Sequence, residues 1–258
     1  MNKDNDNSNI AGTLLLLQVP RTNDKKELSA EQMFASLHGL LSSQKQSTGF
    51  FNETSGEAIS FEIAVINKRI GFYVWVPEYL KSYVEEQIYA QYPTVTVTEV
   101  EDQVQGSGSK HINVLASELK LTGHSALPIK TFQNFEVDPL AAITATLAKF
   151  KDDEEAWIQL VIRPAGSNWH KDSEKYVSSI RGNKSSASPL DLINKILYPS
   201  ANSSESSGKI SDSQQTRAAG AEGKAQKLAF EAVLRIMYKG NGTMQDAKLR
   251  LQSIIASY

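Results

Sequence analysis

The order of apolar patterns along the chain predicts an α+β protein of two tandem ferredoxin-like (βαββαβ) units, the second with a long insertion and lacking its last strand. Three observations predict it. Residues 13–101 switch between strand period two and helical period 3.6 in the order β-α-β-β-α-β. Residues 102–110, within EDQVQGSGSK, are mostly polar with two glycines and read as a linker. After them comes β-α-β, a serine-rich stretch, and then β-α, which repeats the first unit as far as its final helix. The expected division is a disordered N-terminus over 1–12, unit one over 13–101, the linker, and unit two over 111–258. A flexible insertion is expected at about 164–226.

Each element has a local reason. MNKDNDNSN is polar and is expected to fray. Thr13–Val19 holds Leu14 to Leu17, stops at Pro20 and reads as a buried strand; it falls far short of the roughly 20 apolar residues that span a bilayer. No basic leader or small-residue cleavage site accompanies it, so a signal peptide is not expected. Ser29, with Gln32 three residues on, has the spacing of a capping box. Met33, Phe34, Leu37, Leu40 and Leu41 then form one helical stripe. Phe61, Ile63 and Val65 alternate as a strand, Asn67-Lys68 turns the chain, and Ile70–Val76 returns. Pro77 opens a helix with Leu80, Tyr83, Val84 and Ile88 inward; Pro93 ends it before the strand Thr94–Val100.

In the second unit, Ile112–Leu121 is the first strand and Asp138-Pro139 caps a helix with Leu140, Ile143 and Leu147 inward. Trp157–Arg163 is the next strand. Helices are expected near Asp172–Ile180 and Leu190–Leu197, and a flexible loop over PSANSSESSGKISDSQQ, residues 199–215. Leu228–Tyr238 is a long strand with Leu228, Phe230, Ala232, Leu234, Ile236 and Tyr238 on one face. Thr243 caps a last helix that turns Ala247, Leu251, Ile254 and Ile255 inward. Without a fourth strand, one side of Ile112–Leu121 is expected to be an open edge.

Composition excludes several functions. Of 258 residues 40% are hydrophobic, enough for a core, so wholesale disorder is excluded. Lys+Arg 27 against Asp+Glu 29 leaves no basic surplus to neutralise a duplex backbone. With no cysteine there is no disulfide, thiol catalysis or Cys-ligated zinc. Gly223-Lys224 is not a phosphate loop, because Ala218 replaces the leading glycine and Ala225 the magnesium-binding Ser/Thr. The histidines His38, His111, His124 and His170 are scattered; His170 and Glu174 are an i, i+4 pair lacking a third ligand. Four Asn-X-Ser/Thr sequons begin at Asn52, Asn183, Asn202 and Asn241, without a secretory signal to use them. The candidate interaction surface is Tyr73 and Trp75. Ile70, Phe72, Val74 and Val76 should face the helices, which turns Tyr73 and Trp75 to the other face of the sheet. RNA-recognition motifs stack bases on aromatics at that place, although the first strand here adds no aromatic partner and Glu62 shares the face. The competing expectation is that both rings pack on a neighbouring domain or subunit.

Longer phrases carry a resemblance. LLLLQVPRTNDKKELSAEQMFASLHGLL, FEIAVINKRIGFYVWVPEYLKSYVEEQIYAQYPTVTVTEVED, IKTFQNFEVDPLAAITATLAK and EEAWIQLVIRP, with KLAFEAVLRIMYKG and RLQSIIASY more loosely, resemble the region ahead of the motor in type IV secretion coupling-protein-like ATPases of candidate phyla radiation bacteria, including Saccharibacteria. The resemblance implies a non-catalytic assembly or substrate-docking module in conjugation or secretion, translocating DNA or protein. It implies as partner a RecA-like ATPase domain, in the same or a partner chain, and a homo-oligomer formed through that motor. The implied location is cytoplasmic, at the inner face of the plasma membrane only through an anchor or partner. No family motor motif has a counterpart here, so no catalytic residue, cofactor or metal is expected. One alternative is a single-stranded nucleic-acid-binding module using Tyr73 and Trp75. Another is an acylphosphatase-type enzyme, for which Arg21 is present and the glycine-rich cradle is not.

Overall fold

The computed structural model describes residues 11–44, 58–101, 112–166, 168–181 and 211–258. In chain order the elements are β1 (Gly12–Gln18), α1 (Glu27–Gln44), β2 (Ile59–Ile66), β3 (Arg69–Pro77), α2 (Lys81–Gln91), β4 (Thr96–Val100), β5 (Asn113–Leu119), α3 (Pro139–Leu147), β6 (Glu154–Pro164), α4 (Asn168–Ile180), α5 (Asp212–Ala225), β7 (Phe230–Gly240) and α6 (Met244–Ile255). They form two compact units. A sheet unit takes Met1–Lys120, Thr131–Pro164 and Phe230–Tyr258; a helical unit takes Leu121–Lys130 and Ala165–Ala229.

The sheet unit is α+β. Its seven strands form one antiparallel sheet in the order β4-β1-β3-β2-β6-β7-β5, so strands from both predicted units share a single sheet, joined where β2 pairs with β6. Among the described residues β5 pairs only with β7 and stands at one end of the sheet.

Alternation decides which side chains meet the helices. Leu15, Val74, Val76 and Ile59 pack with Met33, Leu37 and Leu41 of α1 and Val84 and Ile88 of α2 in a first core. Val65, Ala156, Ile158, Ile236 and Tyr238 pack with Ile143 and Leu147 of α3 and Ala247 and Ile254 of α6 in a second. Removing a side chain such as Leu37 from water contributes about 2–3 kcal/mol. The second core also contains a polar group. Glu154 accepts hydrogen bonds from the Tyr238 hydroxyl (3.2 Å) and Arg250 Nε (3.0 Å), and the Arg250 guanidinium lies 5.5 Å from the Phe150 ring centre. Burial first, then the Glu154 charge, pushes the Tyr238 phenol up to about 12.

Several ends differ from the sequence expectation. Helix α1 opens at Glu27, so Ser29 is inside its first turn, where its N–H already donates to Lys26 O, and it is not the cap. An acidic residue in that turn suits the positive end of the helix dipole, which favours the earlier start. Residues 211–215, expected as loop, cap and open α5: Ser211 and Gln214 make a reciprocal capping box. Leu228 precedes β7 and is exposed. The expected caps at Asp138 and Thr243 are present, and Thr243, the last residue of a sequon, is occupied in capping α6 with Asp246. The hairpin residues Asn67 and Lys68 have φ of 50° and 59°, the left-handed pair of a tight β2–β3 turn. Residues 1–10, the linker 102–110, His111, the helix at 190–197 and the sequons at Asn52, Asn183 and Asn202 lie outside the described residues.

The helical unit packs α4 and α5 around Ala126, Val177, Ala218 and Ala221. His124 stacks on Tyr176 with ring centres 4.2 Å apart, and Arg181 pairs with Glu222 at 2.8 Å.

Candidate functional site

Tyr73 and Trp75 do point away from the face that carries the two cores. Strand register arranges that second face in rows. One row runs Leu14–Trp75–Ser60–Val161–Val233, and the next Leu16–Tyr73–Glu62–Gln159–Arg235–Glu118. The Trp75 indole lies over Gly12, where a Cβ would fall 2.1 Å from a ring carbon, so β1 needs a glycine there. Burial pushes the Tyr73 phenol upward.

Between the two rows is a pocket of about 240 Å³ lined by Leu14, Ser60, Glu62, Trp75, Gln159 and Arg235. Gln159 Nε2 donates to Glu62 Oε1 at 3.0 Å. Ser60 is 6% exposed and its hydroxyl has no hydrogen-bond partner among the described residues. The following row, Gly71–Ala64–Trp157–Met237, is closed to solvent at Ala64 and Trp157. Three cations on this face lie against carboxylates: Arg163 with Glu231 (2.5 Å), Lys239 with Glu155 (3.0 Å) and Arg235 near Glu118 (3.6 Å). Such pairing leaves little positive field to attract phosphate.

The helix-bearing face holds a second feature that periodicity alone did not reveal. A groove of about 830 Å³ adjoins one of about 380 Å³, sharing Leu17, Phe61 and Phe72 as floor. Tyr92, Phe132 and Leu140 wall the larger part, and Leu160, Leu234 and Tyr258 the smaller. Phe72 is 40% exposed although it faces the helix side, because α1 and α2 cover the first core and α3 and α6 the second. Sequence alternation assigns a residue to a face; it does not say whether a helix reaches that spot. A contiguous apolar surface of this kind ordinarily serves an interaction.

A family model described as a domain of unknown function (DUF8128) matches residues 11–258. The chain belongs to that family. The DUF8128 match runs from β1 through α6 and so spans both compact units. No curated protein and no solved structure matches the chain.

Several of the remaining sequence candidates have structural partners. Lys224 is in α5, where Nζ donates to the carbonyls of Ser125 (2.6 Å) and Leu127 (3.2 Å), and burial holds its pKa below the usual lysine range. His38 sits 3.4 Å from Ser42 Oγ and edge-on to Phe230, while His124 Nδ1 accepts from the Ala126 N–H. His170, against Trp169, and Glu174 are exposed on α4, and Arg21 is exposed after β1. Among the described residues no group of three or more His, Asp or Glu could hold a metal, and no helix is long and apolar enough to cross a membrane.

Proposed function

We propose that the chain is a non-catalytic docking module of a type IV secretion or conjugation ATPase, built from two ferredoxin-like repeats. The repeat reading is supported by strand order: β4-β1-β3-β2 is the split βαβ arrangement, and β5-β7-β6 follows the same succession of first, third and second strands. The observation that carries the docking role is the groove over Leu17, Phe61 and Phe72. Its length, its exposed aromatics and its mixed rim of Lys25, Lys26, Glu27 and Glu31 suit one amphipathic segment of a RecA-like ATPase. Tyr258 is one of its walls. The test is calorimetric titration with a purified ATPase of the coupling-protein-like class. Phe72→Glu should weaken binding by at least about tenfold while leaving circular dichroism unchanged, since Phe72 is already part-exposed. Failure of the native chain to bind, or equal binding by Phe72→Glu, would reject the reading.

A second reading, single-stranded nucleic-acid binding, is favoured by Tyr73 and Trp75 sharing one face and weighed against by the carboxylate-paired cations around them.

A further inference from the structure

We infer that the pocket beside Trp75 is a binding site for one neutral planar ring bearing a carbonyl group, the chemistry of a uracil-type base. This site is on the opposite face from the docking groove and does not depend on it.

Four features define the ligand. Ser60, one of the residues that line the pocket, is more than nine-tenths buried, and its hydroxyl lacks a partner among the described residues, a state native structures seldom leave without a ligand, ion or water. Arg235 also lines the pocket, and its guanidinium stands 3.6 Å from Glu118, too far for a hydrogen bond. The guanidinium therefore keeps N–H groups for an acceptor oxygen, and the Ser60 hydroxyl has a donor to spare at the same pocket. The Trp75 indole, with Leu14 and Val161, gives the apolar surfaces on which a flat ring stacks. Finally, the Glu62 carboxyl, held by Gln159, would sit against any bound carboxylate or phosphate, so the ring should be neutral. The pocket of about 240 Å³ has room for a single six-membered ring with its substituents.

The same ring chemistry could come from a free nucleoside or from a base in a single strand. Titration of the full chain with uridine and, separately, with an oligouridylate, followed by NMR of the tryptophan indole N–H signals, distinguishes the two. Equal per-base affinity for both probes identifies the free ring as the source; tighter, salt-dependent oligouridylate binding identifies the strand. In either case Ser60→Ala should weaken binding about tenfold, the worth of one hydrogen bond to a buried group. Removing an unpaired hydroxyl should leave the melting temperature unchanged or higher, so loss of binding cannot be confused with loss of fold. The proposal is overturned if neither probe shifts an indole signal at about 10 mM, well above the affinity expected for one ring, or if binding survives Ser60→Ala.

Discussion

The two halves of the sheet treat the same connection in opposite ways. In the β1–β4 half, β2 passes to β3 through Asn67 and Lys68 alone. In the β5–β7 half, the corresponding strands β6 and β7 are separated by residues 165–229, yet they stay paired without a slip from Glu154↔Gly240 to Pro164↔Phe230. The register is therefore fixed by which side chains must face the core, and a long insertion does not disturb it. The halves also differ inside. The first core cluster is apolar throughout, whereas the second encloses the carboxyl of Glu154 between Tyr238 and Arg250.

That difference gives the largest expected effect. Glu154→Ala would leave the Arg250 guanidinium and the Tyr238 hydroxyl unsatisfied in a largely buried setting, at a cost of about 3–5 kcal/mol. Replacing both charges, as Glu154→Leu with Arg250→Met, should recover the part of the loss that comes from the uncompensated guanidinium, while the Tyr238 hydroxyl stays unpaired. Urea denaturation of the single and double variants checks this. A double variant as unstable as Glu154→Ala would mean that the second core depends on its charges and cannot be made to resemble the first.

A smaller effect should separate the halves by pH. The Tyr238 phenol titrates near 10 in an unfolded chain and at about 12 here, so the folded state favours the protonated ring. Its contribution is complete below pH 10 and is lost as pH rises through about 12. Tyr73, Tyr92 and Tyr258 are also raised by burial, so the informative quantity is the difference between native chain and Tyr238→Phe. The urea midpoints of the two proteins should converge between pH 10 and 12. Parallel curves across that window would show that burial and Glu154 together do not hold the phenol protonated.

These contrasts also show what the sequence could and could not disclose. Val74, Val76 and Ile236 were legible because a period-two pattern fixes their face whatever covers it. Asp138 and Thr243 were legible because a cap acts within one turn of chain. The joining of β2 to β6 was not, since pairing of two strand edges leaves no local signature in either strand. For the same reason Phe72 read as core although it floors a groove, and Leu140 read as inward although it lines that groove. At the second face, Tyr73 and Trp75 were found from alternation alone. Ser60 and Arg235 were not, because only the register across β3, β2, β6 and β7 brings them beside Trp75. Ser60 carried no more signal than any strand serine.

The smallest effect concerns the short connection itself. Tight hairpins require left-handed backbone at both central positions, which asparagine tolerates and a lysine does not favour. Lys68, at φ 59°, holds that conformation against the clash of its Cβ with the following carbonyl. Lys68→Gly should therefore raise stability by about 0.5–1 kcal/mol, after the extra freedom of glycine in the unfolded chain is subtracted. The substitution also removes the Lys68–Asp152 ion pair, 2.7 Å long but exposed on both sides, which is worth a few tenths of a kcal/mol at most. Asp152→Asn isolates that term and should be nearly silent. The insertion between β6 and β7 bypasses this constraint altogether. If Lys68→Gly lowers the melting temperature while Asp152→Asn does not, the two-residue turn is not a strained point, and the halves differ in length of connection but not in its cost.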